Sequence, residues 1–200
     1  MTLEEKDTKL KEIRDELLEN TKAPLYGYRT ENDYLPVTGE GDHDTHIMII
    51  GEAPGKNEAL SGRPFCGRAG SILDELLESI SLEREGVYIT NIVKDRPQEN
   101  RDPTPEEIAW YAPYLDRQIE IIKPKVIVTL GRFSMEYLFN RYGVETEEKG
   151  ISNLHGSVHD ADTGEYKFKI VALYHPAASI YNQKLKETLK EDFKVLKQFI

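Results

Sequence analysis

The sequence predicts an α/β fold: three layers, α/β/α, with a central, mostly parallel four-stranded sheet. Four short apolar runs, HIMIIG, VYITNIV, VIVTLG and KIVALY, are rich in Val, Ile and Leu and each ends near Gly, Asn or His-Pro, as strands buried on both faces do. Helical stripes separate the runs, and strand alternating with helix implies crossover connections between parallel strands. The length of 200 residues suits one core, because a chain this size buries most of its apolar surface without splitting. One domain over residues 1–200 is expected, with residues 1–20 as an N-terminal helix.

The elements follow in order. Leu3, Leu10, Ile13 and Leu17 make the first amphipathic stripe. After the HIMIIG strand, Ile72, Leu73, Leu76, Leu77 and Ile80 make a second stripe, placed after Ser71. VYITNIV leads to Thr104, Pro105 and Glu107, a capping box with proline at the first helical position, and then to a third stripe at Ile108, Tyr111, Leu115, Ile119 and Ile122. VIVTLG is the third strand. HDADTGEY reads as the turn of a small hairpin before KIVALY, and Leu185, Leu189, Phe193, Leu196 and Ile200 close the chain as a last amphipathic helix.

Composition excludes several classes. No apolar leader core opens the chain, and no stretch approaches the roughly 18 apolar residues that span a bilayer; a soluble, cytoplasmic protein is expected, without membrane contact. The single cysteine, Cys66, allows no internal disulfide and no thiolate ligand set. His43 with His46, and His155 with His159, lack carboxylate or cysteine partners at ligand spacing, so they read as loop or edge residues and no metal is expected. The net charge of -10 argues against a broad grip on a polyanion. Local sign differs: residues 1–20 hold seven Asp/Glu against four Lys/Arg, whereas Pro54 to Arg68 holds Lys56, Arg63 and Arg68 against Glu58 alone. The KLKETLK run reads as the solvated face of its helix.

GEAPGK at residues 51–56 suggests a phosphate loop, but a Walker A motif needs four residues between glycine and Gly-Lys and then Ser/Thr. Here three residues intervene and Asn57 follows. No GxGxxG follows any strand. In parallel sheets the ligand crevice lies beyond the carboxyl ends of the strands, and Glu52, Asn91 and His175 stand at three such ends. Each has a plain alternative: a solvated turn glutamate, a turn-capping asparagine, a histidine ahead of a rigid proline. Their convergence on one sheet edge points to a site.

GEAPGKNE, GRPFCGRAG, TNIVKDRPQENRDPTPEEI, PYLDRQIEIIKPKVIVTLG and YHPAAS, in this order over most of residues 20–180, resemble the uracil-DNA glycosylases of family four, the thermostable type. The resemblance implies a uracil-DNA glycosylase-like fold and a monofunctional hydrolase that cleaves uracil from DNA by flipping the nucleotide out of the stack, the first step of base excision repair. It assigns Glu52 to the attacking water, Phe65 to stacking on the extruded base, Asn91 to the uracil edge, and His175 to the departing oxygen. Glu58 falls near the base's 5-position, and Ala53 beside the base. Pro54, Gly55, Lys56, Arg63, Arg68, Pro176, Ser179 and Ile180 are implied to meet DNA, with Ile180 as wedge where relatives place leucine. Uracil-containing DNA is the implied partner, with downstream repair proteins, and a monomer is expected. Rival readings are a noncatalytic damaged-DNA-binding module and a glycosylase for hypoxanthine or xanthine.

The chain departs from this family at one set of positions. Family-four enzymes generally hold a 4Fe-4S cluster on four cysteines, and the matching positions here are Asn20, Ala23, Asp95 and Tyr111. A cluster-free variant without cofactor is therefore expected, with the region held by side-chain packing.

Overall fold

The odd and even residues of each central strand separate onto two faces, and each face is covered by helices. In the computed structural model, which describes all 200 residues, the elements run α1 (Leu3–Glu19), α2 (Tyr26–Glu31), β1 (Glu40–Gly41), β2 (Ile47–Gly51), α3 (Lys56–Ser61), α4 (Arg68–Glu78), β3 (Tyr88–Asn91), α5 (Pro105–Ile122), β4 (Val126–Leu130), α6 (Arg132–Arg141), α7 (Ile151–Leu154), β5 (Ser157–Asp162), β6 (Lys167–Leu173) and α8 (Gln183–Phe193). One core joins Met48, Ile50, Ile127 and Ile170 to Leu10, Ile13, Leu17, Leu115, Ile119 and Leu138 from α1, α5 and α6. The other joins Ile47, Ile49, Val126, Val128 and Val171 to Leu73, Leu76, Leu77, Leu189 and Phe193 from α4 and α8. This is the three-layer arrangement, and it follows from the period-two exposure of strand side chains.

The sheet has six strands in the order β1-β3-β2-β4-β6-β5. The four predicted strands are the parallel ones; the count is extended by two antiparallel edges, β1 on β3 and β5 on β6. β1 has only two residues and β5 alternates burial along its length, so neither carries the continuous apolar run that marks an inner strand. The HDADTGEY hairpin is present, with Asp162 opposite Lys167 and Thr163 Oγ1 accepting the amides of Glu165 and Tyr166 across the turn.

Helix ends explain most remaining differences. α5 starts at Thr104 with the reciprocal capping box to Glu107. α4 starts at Arg68 with Gly67 as its cap, ahead of the Ser71 expected from its apolar stripe, because Glu58 Oε1 accepts the amides of Cys66 and Gly67 at 3.0 and 2.8 Å. The negative carboxylate suits the positive end of the helix. Between Pro54 and Arg68 the chain also forms α3, a short helix the loop composition does not announce. Leu3 and Ile200 are exposed, at 52% and 61%, so the first and last stripes are each one residue shorter than expected. No helix is long and apolar enough to cross a membrane.

Candidate active site

Parallel register brings three strand ends to one edge. Gly51 at the end of β2 pairs with Asn91 at the end of β3, and Leu130 of β4 pairs with Leu173 of β6, two residues before His175. Beyond these ends opens a crevice of about 380 Å³, lined among others by Glu52, Ala53, Pro54, Gly55, Glu58, Phe65, Asn91 and His175. The volume falls in the range of small-molecule sites.

Gly51 is the close-packed point of the floor. A Cβ there would lie 2.4 Å from Asn91 Oδ1 and 2.7 Å from Phe65 Cζ, so only glycine lets the amide and the ring approach the same backbone atom. Phe65 adopts φ +49°, and its ring lies against His175 with centroids 5.5 Å apart and planes at 26°. Gly70 keeps that turn possible, since a Cβ on it would lie 1.7 Å from the Phe65 carbonyl oxygen.

Asn91 is 2% exposed, and its Oδ1 is buried with no hydrogen-bond partner. An orphaned buried acceptor costs about 1–3 kcal/mol. Its backbone is fixed from behind: Lys94 Nζ donates to Asn91 O at 2.6 Å, to Thr90 Oγ1 at 2.7 Å and to Gln118 Oε1 at 2.6 Å. Burial holds the Lys94 amine well below its usual range.

The two ends of the crevice differ in charge. Burial, and then the Asp102 carboxylate, push Glu52 up from 4.5 to about 7 against the opposing pull of Arg132. Loss of hydration pulls His175 down from 6.5 to about 4, the nearby Glu58 charge opposing it weakly. The Ala177 amide donates to His175 Nδ1 at 3.1 Å, which places the proton of the neutral ring on Nε2. The site thus pairs a carboxylate that ionises near neutrality with a neutral imidazole donor.

The other expected positions separate into rim and scaffold. Lys56 is exposed at the start of α3. Arg68 is exposed and donates to the Tyr181 hydroxyl at 2.8 Å. Arg63 pairs with Glu40 of β1 at 2.9 Å. Glu58 lines the crevice with one oxygen committed to the α4 amides. Pro54 and Pro176 are buried, and Ser179 is 3% exposed with its hydroxyl on Pro176 O, so it shapes the turn instead of presenting a surface. Ile180 is half-buried, whereas Tyr181 beside it is 89% exposed. Pro97, Asn100 and Arg101 also line the crevice. Sequence reasoning missed these three, and Ala69 and Ala177 as well, although the three sit in the PQENRDPTPEE stretch that follows Asn91.

The histidine pairs behave as edge and loop groups. His43 meets Asp7 at 2.6 Å, His155 meets Asp192 at 2.8 Å, and His159 meets Ser157 at 2.6 Å; no cluster of three or more His, Cys, Asp or Glu could hold a metal. Iron–sulfur clusters require thiolates, and the residues at the four cluster positions do not fit one. Asn20 donates to the Tyr114 hydroxyl at 3.1 Å, and Ala23 joins the core. Asp95 takes Arg29 Nη1 on both oxygens at 3.1 Å and the Tyr111 hydroxyl at 2.6 Å. Ala23 and Tyr111 pack in the core, and a buried ion pair hydrogen-bonded to the Tyr111 phenol stands beside that packing.

A family model described as the uracil DNA glycosylase superfamily matches residues 38–197. The chain is 45% identical over 185 residues to the Type-4 uracil-DNA glycosylase of Archaeoglobus fulgidus, covering 92% of this chain and 90% of that one. It is 41% identical over 182 residues to the Type-4 uracil-DNA glycosylase of Thermotoga maritima, covering 90% and 88%. A Type-5 uracil-DNA glycosylase of Thermus thermophilus is 31% identical over 155 residues, covering 70% and 68%.

Proposed function

The chain belongs to the uracil-DNA glycosylase superfamily, and on that premise we propose that Glu52, Asn91 and His175 perform uracil excision in the crevice at the strand ends. The enzyme is a glycosylase acting on uracil-containing DNA in base excision repair. A base in a duplex is out of reach, so the nucleotide is flipped into the crevice at a cost of roughly a few kcal/mol, and Phe65 offsets part of it by stacking.

Asn91 supports the reading most. Uracil presents an N3–H donor beside an O4 acceptor, and the orphaned Oδ1 accepts the first while Nδ2 donates to the second. Cytosine presents the opposite polarity, so discrimination against it requires the amide to be held in this one orientation. As the C1′–N1 bond breaks, its electron pair moves onto the uracil ring and accumulates at O2, where the neutral His175 Nε2–H donates. The sugar becomes cationic. Ionised Glu52 stabilises it, orients water toward C1′ and takes the water proton as the new C–O bond forms. No lysine lines the crevice, so no Schiff base and no strand cleavage are part of the reaction.

The test is incubation with a uracil-containing oligonucleotide, alkali treatment and detection of strand breaks, with Glu52→Ala and His175→Ala as controls. Breaks at uracil that vanish in the controls support the roles. Binding without breaks at uracil, hypoxanthine and xanthine would mark a noncatalytic binder; breaks at the purines alone would mark a different substrate.

A further inference from the structure

Pro97, Asn100 and Arg101 form one wall of the crevice, and the only stiffening from within the segment is Pro97 and the backbone bonds Asn100 N–H to Pro97 O and Arg101 N–H to Gln98 O. Glu99 and Asn100 both sit at positive φ, +54° and +56°, a conformation that residues other than glycine rarely adopt and hold only when their surroundings enforce it. The side-chain contact that holds Asn100 comes from Arg96, the residue that precedes the wall.

Arg96 is 8% exposed. Its Nε donates to Asn100 Oδ1 at 2.8 Å, and its Nη1 donates to the hydroxyls of Tyr28 and Tyr34 at 3.1 and 2.8 Å. The guanidinium also lies 6.0 and 5.3 Å from the centroids of those same rings, which meet edge to face. All three acceptors are neutral oxygens, so the charge is compensated by oriented dipoles and ring faces instead of a carboxylate. A planar fork does this and an ammonium does not. Asp95, one residue earlier, is fully buried and tied to Arg29 and Tyr111; Arg29 in turn donates to Leu17 O and Leu18 O at the end of α1.

We propose that Asp95 and Arg96 are positioning residues for base excision, two adjacent pins through which α2 and Tyr34 beyond it hold the Pro97–Arg101 wall, left-handed at Glu99 and Asn100, against the crevice. Tyr28 and Arg29 are neighbours on α2, so one short helix supplies a partner to each pin. The wall side chains reach the substrate; the pins act through them. This inference rests on the crevice being the excision site.

The variants are Arg96→Lys, which keeps the charge but loses the fork, and Tyr28→Phe/Tyr34→Phe, which removes only two hydroxyls. Three quantities are measured on the whole protein: the single-turnover rate on a uracil-containing oligonucleotide at saturation, the Kd for an oligonucleotide with a tetrahydrofuran abasic analogue, and amide hydrogen exchange. Misplacing a wall by about 1 Å costs up to roughly a hundred-fold in rate. We expect at least about a ten-fold loss of single-turnover rate in both variants, less than about a three-fold change in Kd, and faster exchange confined to residues 98–101 while α4 stays protected. A folded variant with the wild-type rate and unchanged exchange at residues 98–101 overturns the proposal, and so does acceleration of exchange spread evenly over the molecule. Should Arg96→Lys fail to fold, the tyrosine double variant decides. If the wild-type protein leaves uracil in place, the functional reading falls on its own, while the exchange comparison still decides whether the pins hold the wall.

Discussion

Replacing the carboxylate of Glu52 with an amide should make the protein more stable and stop its chemistry. The group ionises near 7 instead of 4.5, chiefly because burial strips its hydration and secondarily because Asp102 is near. An acid whose folded pKa lies above its unfolded one binds its proton more tightly in the native state. That stabilisation is complete below about 4.5 and is lost as pH rises through about 7. The full difference corresponds to ~3 kcal/mol, and residual solvent contact of a half-buried side chain brings the expected value to about 2–3 kcal/mol. Glu52→Gln keeps the shape without the charge. It should therefore gain about 2–3 kcal/mol over wild type in urea unfolding at pH 8, roughly 5–10 °C in Tm, and under ~1 kcal/mol at pH 5. The same variant should lose about a hundred-fold or more in single-turnover excision. An equal stability increment at both pH values, or none at either, would show that the Glu52 carboxylate is not strained by its site and would remove the physical basis for its role.

Other outcomes follow from the same geometry. For wild type, kcat/KM on uracil-containing DNA should rise as pH increases through about 7 and then level, because Glu52 must ionise while His175, near 4, is already neutral. His175→Ala should cost about a hundred- to a thousand-fold in kcat in a steady-state assay, the scale for losing one donor to a developing oxyanion. Gly51→Ala drives a Cβ into Asn91 Oδ1 and Phe65; it should cost about 1–3 kcal/mol in thermal unfolding and most of the activity, and a near-neutral result would contradict the packing described. Asn91→Asp cannot donate to O4, so excision of uracil should fall about a hundred-fold in a time-course assay.

Much of this site was legible in the sequence. GEAPG, the asparagine closing YITN and the YHP turn stood at strand ends, and parallel strands send their carboxyl ends to one edge. Part of the crevice lining was not legible. Pro97, Asn100 and Arg101 lie in an irregular segment without periodicity, and their position depends on Arg96 reaching Tyr28 and Tyr34, more than 60 residues away in the chain. Glu58 shows a second thing the sequence did not reveal: beside lining the crevice, it gives one oxygen to two backbone amides ahead of α4.

The sequence by itself determined the layers, the four parallel strands and the chemical types gathered at their ends, because periodicity and strand polarity are local properties that topology then propagates. It also determined that no thiolate stands at Asn20, Ala23, Asp95 and Tyr111, the positions the resemblance assigns to a cluster. Only the tertiary structure decided what stands there instead, since an ion pair between Arg29 and Asp95 joins residues with no periodic relation. Protonation states belong to the tertiary structure as well. Glu52 near 7 and His175 near 4 depend on how much water the folded walls exclude and on one amide, that of Ala177, choosing a tautomer.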